Sequence, residues 1–178
     1  MIRPEFVHRK LQLIADDLGR LVRFKDETLE SLTGDDVKLA AVERMLERIV
    51  MRAVDINEHV VSELATGDER SSRLSYRDTF LMLAGHGVYP KEFAERIANS
   101  AGLRNILVHD YNDLDRRIVH ASIRTCLRDY HRYLEHLAEF LQRKLAVLRA
   151  AVRKDFPTGD IGQMLADIER GYSNGPQA

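Results

Sequence analysis

The segment from Leu103 to Tyr111 collects three side chains that together could act on a phosphate ester. Arg104 carries a permanently charged fork, which can hold a phosphate through two hydrogen bonds. His109 carries an imidazole that can take up or release a proton near neutral pH, and Tyr111 adds a phenol. Such a set could cleave RNA without a metal. The histidine would move the proton of the 2′-hydroxyl or of the leaving 5′-oxygen, and the arginine would offset the charge of the transition state.

The same residues also have a simpler interpretation as a helix terminus. Arginine and histidine are common in the last turn of a helix, where they bond the free carbonyl groups and offset the helix dipole. On composition alone, this capping role is favoured over catalysis. The choice between the two therefore depends on where the residues lie relative to each other.

Helical spacing decides how these residues could meet. At about 100° per residue, Arg104 and Tyr111 lie about 20° apart, whereas His109 lies about 140° from Arg104. A regular helix therefore separates the histidine from the arginine. Either the helix breaks between Val108 and Asp113, or the working site is assembled from two chains. A twofold dimer would supply two copies of each residue by symmetry.

Other catalytic and metal-binding patterns are absent from the sequence. The seven histidines include no His-Glu-x-x-His motif, and no Glu-x-x-His pair repeats on two helices. His131 and Glu135 share a helix face at four-residue spacing, which is typical of an exposed charge pair. The single cysteine, Cys126, falls on an apolar stripe, so a packing role is favoured over a nucleophilic one. We expect no metal and no other cofactor.

Helices must position the Arg104 segment, because apolar residues recur at helical spacing along three long stretches. These stripes run over Val7–Leu21, Val42–Leu64 and Val119–Leu148. Between the second and third stripes, a polar loop precedes a short helix over 76–85 and another over 91–108. No alternating strand pattern occurs. The sequence therefore predicts an all-α fold, an up-and-down bundle of four to five helices.

Composition bounds the class of protein. A length of 178 residues fits one domain, which we place at 1–155, with a weakly helical C-terminal tail over 156–178. No apolar run approaches the roughly 20 residues of a membrane span, and no signal peptide opens the chain, so we expect a soluble, cytoplasmic protein.

Charge is balanced over the whole chain but not along it. The 27 Lys and Arg residues face 28 Asp and Glu residues, so no global positive field attracts nucleic acid. Between Arg96 and Arg132, however, seven arginines and no lysine face four aspartates. Arginine suits phosphate recognition, although a solvated helix face explains this local surplus equally well. His120 and Tyr76 are further candidates to line a cleft, with packing as the simpler role for each.

The motif Arg-x4-His-x-Tyr, formed by Arg104, His109 and Tyr111, resembles the signature of HEPN-domain ribonucleases of the HepT toxin type. The surrounding segment SYRDTFLMLAGHGVYPKEFAERIANSAGLRNILVHDYNDLD is similar to the middle region of that family. The upstream stretch AVERMLERIVMRAVDINEHVVSE, which contains Asp55 and His59, resembles its second helix. Together these similarities cover residues from about 40 to about 135.

The resemblance implies a HEPN-like helical homodimer, in which two motifs face each other and form one RNA-cutting site. His109 would be the general acid and base, Arg104 would hold the scissile phosphate, and Asn105 would orient the motif. The family's toxins act without a metal and leave a 2′,3′-cyclic phosphate. The implied partner is a minimal nucleotidyltransferase (MNT) antitoxin, which would silence the toxin by transferring AMP from ATP to Tyr111.

We therefore predict a metal-independent endoribonuclease toxin of a HEPN/MNT toxin–antitoxin system, with RNA as its substrate. The alternative belongs to another class of protein. It is a catalytically silent helical module of the same fold that binds a nucleotide or docks a nucleotidyltransferase. The intact pair of Arg104 and His109 favours the enzyme, because a docking module does not need it.

Overall fold

Every regular element of the described chain is a helix, which confirms the predicted all-α class. The structure, a computed structural model, describes the backbone of residues 3–64, 74–109 and 115–155, and the side chains of these residues except 104, 105, 108, 109 and 148–155. In chain order, the α-helices of these ranges are α1 Pro4–Leu21, α2 Leu29–Thr33, α3 Asp36–Leu64, α4 Tyr76–Gly85, α5 Lys91–Ile97, α6 Ser100–His109 and α7 Arg116–Asp155. None of these helices is long and apolar enough to cross a membrane.

The chain divides into two compact units, residues 1–138 and 139–178. In the first unit, α3 lies at the centre and contacts α1, α2, α4 and α6. The predicted stripes Val7–Leu21 and Val42–Leu64 fall on α1 and α3, whose buried residues they largely supply. In the second unit, the described residues are the last turns of α7. The predicted tail over 156–178 lies outside the described residues.

The segment predicted as one helix over 91–108 forms two helices instead. α5 ends at Ile97 and α6 begins at Ser100. The Ser100 hydroxyl donates a hydrogen bond to the Ile97 carbonyl at 2.6 Å and lies 2.8 Å from the hydroxyl of the buried Tyr130 on α7. Because the serine proton is used on Ile97, the tyrosine is the donor in the second bond. The prediction of a continuous helix was wrong at this point, directly before the motif.

A buried hydrogen-bond network joins α3, α4 and α7. The Tyr133 hydroxyl donates to Asn57 Oδ1 at 2.7 Å and to the Ala53 carbonyl at 3.2 Å. Asn57 Nδ2 then donates to Thr79 Oγ1 at 3.4 Å. Burial raises the pKa of Tyr133 well above its usual value, so the phenol stays neutral. The apolar stripe predicted for α7 contains Leu134 at this level, but Leu134 is only half-buried and Tyr133 fills the core.

A buried carboxylate joins α1 to α3. Asp17 is 1% exposed and accepts hydrogen bonds from Arg48 at 2.6 and 3.1 Å. Arg52 and Arg20 also donate to this carboxylate, and Arg52 donates to the Leu13 carbonyl at 2.7 Å. A buried charge is tolerated only with such partners. The three arginines therefore explain how an aspartate lies on the apolar side of α1.

Candidate active site

Two residues of the predicted motif, Arg104 and His109, lie on α6, and the helix is continuous between them. Arg104 and His109 are therefore about 7.5 Å apart along the helix axis and about 140° apart around it. No break between them brings both to the same side of one chain. The side chains of Arg104, Asn105 and His109 lie outside the described residues, as does all of Tyr111. Their individual roles remain predictions.

Two contacts with α7 hold the start of the motif helix. The first is the hydrogen bond between Tyr130 and Ser100, the first residue of α6. The second lies one turn earlier, where Arg96 of α5 donates to Asp129 of α7 at 3.2 Å. Asp129 is nearly buried and also accepts a bond from the neighbouring Arg128 at 2.8 Å. The corner between α5 and α6 is thus fixed to α7.

A groove of about 510 Å³ lies between α6 and the first half of α7. Its walls consist mainly of aliphatic and small residues: Gly102, Leu103 and Ile106 of α6, and Ile118, Ala121, Ser122 and Thr125 of α7. Positions 102, 106 and 109 recur on one side of a helix. Since Gly102 and Ile106 line the groove, position 109 falls on the groove side of α6, one turn further along. Ile118 is 40% exposed here.

The two other residues considered for the cleft have different surroundings. Tyr76 is half-buried and lines a separate groove of about 600 Å³ at the start of α6, together with Ala101 and Gly102. The His120 imidazole donates from Nε2 to the Glu27 carbonyl at 2.7 Å. His120 therefore connects α7 to the segment before α2 and is used for the fold.

Other chemically suggestive residues also serve the fold. His131 and Glu135 form an exposed pair at 3.3 Å, as predicted. Burial raises the pKa of the Cys126 thiol, and the nearby charge of Asp129 adds to the effect, so the predicted packing role is confirmed. Within the described part of the chain, no group of three or more His, Cys, Asp or Glu side chains is placed to hold a metal ion.

Asp55 and His59, the two polar residues noted in the segment that resembles the family's second helix, connect α3 to α1 and to the residue before it. Asp55 pairs with Lys10 at 2.5 Å. His59 Nε2 accepts a hydrogen bond from the Arg3 amide at 3.0 Å. Burial lowers the pKa of His59, and the positive charge of Arg3 lowers it further, so the neutral imidazole that can accept this bond is favoured.

Comparison with the sequences of known proteins gives the family that the motif resembles. The chain matches the model of the family Ribonuclease HepT-like over residues 14–137. It is 31% identical over 140 residues to the tRNA nuclease HepT of Aphanizomenon flos-aquae, covering 79% of this chain and 92% of that protein. It is 30% identical over 90 residues to the mRNA nuclease HepT of Shewanella oneidensis, covering 51% of this chain and 65% of that protein.

The fold is also similar to that of a solved structure, the tri-AMPylated Shewanella oneidensis HEPN toxin in complex with MNT antitoxin. The TM-score is 0.65 and the identity 22%, over 77% of this chain and 99% of that chain. This similarity establishes that the two chains share a fold. The range matched by the family, residues 14–137, includes α6 and the whole motif.

Proposed function

The chain belongs to the Ribonuclease HepT-like family, and we propose that it is a cytoplasmic endoribonuclease toxin that cleaves RNA without a metal ion. The observation that carries the proposal is the placement of the motif. One unbroken helix carries Arg104 and His109 about 140° apart around its axis, beside an aliphatic groove of about 510 Å³.

The proposed site is composite. With about 140° between them, the Arg104 and His109 of one chain do not face a single phosphate together. A twofold axis beside α6 would bring the Arg104 of one chain to the partner subunit's His109, and the reverse. The groove suits this contact because Leu103, Ile106 and the exposed Ile118 offer apolar surface that a second copy can cover.

The proposed chemistry is phosphoryl transfer within the RNA itself. One His109 takes the proton of the 2′-hydroxyl, whose oxygen attacks the phosphorus and forms a 2′,3′-cyclic phosphate. The second His109 gives a proton to the departing 5′-oxygen. The two Arg104 forks hold the phosphate and offset its growing negative charge, and Asn105 orients the motif.

The proposed partner is an MNT-type nucleotidyltransferase antitoxin. The Shewanella toxin of similar fold carries AMP groups and is bound to an MNT antitoxin, and we propose that Tyr111 accepts AMP here. Tyr111 is two residues from His109, so each added phosphate would place negative charge at the site and repel the RNA backbone.

Cleavage of RNA by the purified protein tests the catalytic proposal. His109→Ala should lower the rate by a factor of about 10² to 10⁴, the usual contribution of a general acid or base. Arg104→Ala should be similarly severe, and Arg104→Lys should restore little because lysine lacks the planar fork. His8→Ala, which changes an exposed histidine of α1, is the matched control and should leave the rate unchanged. Activity that disappears with EDTA and returns with magnesium would contradict the proposed mechanism.

Modification of Tyr111 is tested by co-expression with an MNT-type nucleotidyltransferase. Intact mass spectrometry should show whole AMP units on the wild type and none on Tyr111→Phe. The variant should still cleave RNA and should escape silencing by the nucleotidyltransferase and ATP. Equal modification of both proteins would exclude Tyr111 as the acceptor. A wild type that is modified but never cleaves RNA would favour the silent docking module.

A further inference from the structure

The outer side of α7 carries a row of three arginines, Arg124, Arg128 and Arg132. Their four-residue spacing advances about 6 Å per step along the helix, or about 12 Å in total. Their side chains are 70%, 62% and 66% exposed. The row borders a groove of about 700 Å³ between α1 and α7, which Lys25 and His131 also line. Positive charge is therefore concentrated along one edge of an open surface.

The acidic partners of the two outer arginines, Arg124 and Arg132, leave them available to a ligand. Arg124 pairs with Asp26 at 3.3 Å, and both side chains are well exposed. Arg132 pairs with Glu135 at 3.8 Å, again at the surface. Ion pairs of this kind contribute little and are screened by salt. A ligand with several negative charges can therefore replace them.

The middle of the row has a surplus of positive charge that the fold itself creates. Asp129 is the carboxylate nearest to Arg128, at 2.8 Å, but it also accepts a hydrogen bond from Arg96 at 3.2 Å. Two guanidinium groups thus share one nearly buried carboxylate. This sharing satisfies the aspartate and leaves net positive charge at the surface.

We propose that the arginine row binds the phosphates of the RNA substrate outside the cleavage motif. This inference rests on the proposed function, because it gives the ribonuclease its contact with the rest of the RNA. Arginine forks suit phosphates, and a stacked strand advances about 3.4 Å per phosphate, so 12 Å spans about four phosphates. The aliphatic floor of the groove, from Leu18, Val22, Leu127 and Leu134, can pack against sugars and bases.

Charge disfavours a twofold contact of this chain that is centred on the row. There each arginine row would face its own copy, and like charges at short distance repel. The place of the row in the fold favours the substrate. It lies on α7, the helix that follows the motif helix and holds its first residue through Tyr130 and Ser100.

Binding of a fluorescent 2′-O-methyl RNA tests the proposal independently of cleavage, because this RNA lacks the attacking hydroxyl. Affinity is measured by anisotropy over a series of salt concentrations for the wild type and for Arg124→Gln/Arg132→Gln. Losing two phosphate contacts should reduce the slope of log affinity against log salt by about 1.4, which corresponds to about 25-fold weaker binding at about 0.1 M salt.

The matched control is Arg44→Gln/Lys91→Gln. It removes the same charge from side chains that are 63% and 81% exposed on α3 and α5, so its slope should equal that of the wild type. Equal slopes for the row variant and the wild type, or equal losses for row and control variants, would overturn the proposal. So would a row variant that keeps its RNA affinity but no longer binds a purified MNT nucleotidyltransferase, since the row would then dock a protein. If the wild type binds this RNA through the row but does not cleave ordinary RNA, the proposed function fails and the row remains a binding surface.

Discussion

Replacing Tyr133 by phenylalanine removes one buried hydroxyl and keeps the ring that fills the core. The hydroxyl donates to Asn57 Oδ1 at 2.7 Å, and both residues are fully buried, so the asparagine oxygen loses this donor without gaining water. A buried polar group left unsatisfied costs about 1–3 kcal/mol. In a protein of this size, 1 kcal/mol corresponds to about 2–4 °C in Tm. At the centre of the energy range, about 2 kcal/mol, Tyr133→Phe should therefore lower Tm by about 4–8 °C.

Tyr130→Phe is the matched comparison, three residues earlier on the same helix. It also removes a buried hydroxyl, but its partner Ser100 keeps its bond to the Ile97 carbonyl. The expected cost is that of one ordinary hydrogen bond, about 1 kcal/mol, or about 2–4 °C in Tm. Because this bond holds the first residue of α6, we expect RNA cleavage to fall more in Tyr130→Phe than in Tyr133→Phe.

The two variants are compared by thermal unfolding, followed by circular dichroism, and by the cleavage rate well below both transitions. The expected order of stability is wild type, then Tyr130→Phe, then Tyr133→Phe. A Tyr133→Phe protein as stable as the wild type would refute the reasoning about the buried network. Cleavage rates that follow the order of stability would refute the separate role given to Tyr130.

Two further predictions concern charged groups of the scaffold. Asp17→Asn should lower the free energy of unfolding by about 3–5 kcal/mol, because three arginines lose a buried counter-charge. Glu47→Gln, which changes a more exposed pair with Arg44, should cost at most about 1 kcal/mol. Equal losses of the two variants in denaturant unfolding would contradict this prediction. The lowered pKa of His59 means that the unfolded chain binds a proton at this residue more readily than the folded chain does. Stability from His59 should be complete above about pH 6.5 and decline as the pH falls toward the folded pKa, and His59→Gln should remove this part of the Tm-against-pH profile. A difference in Tm between the wild type and His59→Gln that does not change with pH would contradict this prediction.

The long helices could be predicted because their apolar periodicity extends over many turns. The break between α5 and α6 could not, because buried residues recur across it at helical spacing: Phe93, Ala94, Ile97, Ala98 and Ala101. What marks the break is a tertiary contact, the bond from Tyr130 to Ser100, which joins residues 30 positions apart. A pattern read along the chain does not contain that information.

The burial of two polar residues, Asp17 and Tyr133, could not be predicted for a related reason. Asp17 lies among Ile14, Leu18 and Leu21 on α1, and its burial depends on arginines that arrive from α3. Tyr133 is buried because α3 offers an acceptor to its hydroxyl. The helical position of Arg104 could be predicted, since the helix predicted over 91–108 contains it. The side-chain roles of Arg104 and His109 stay predictions.

The arginine row and the buried residues of α7 lie on different sides of the helix, so the proposed RNA recognition can be tested separately from folding. Arg128 of the row and Tyr133 of the core are five residues apart, which places them about 140° apart around the helix. Replacing Arg124 and Arg132 therefore changes surface charge and leaves the contacts of the core in place. Weaker RNA binding in that variant would show that the arginine row contacts RNA, provided that its Tm matches that of the control variant. Tyr130 is different, because its buried hydroxyl bonds the motif helix directly. Because of that bond, we expect Tyr130→Phe to affect the position of α6 and with it the proposed site.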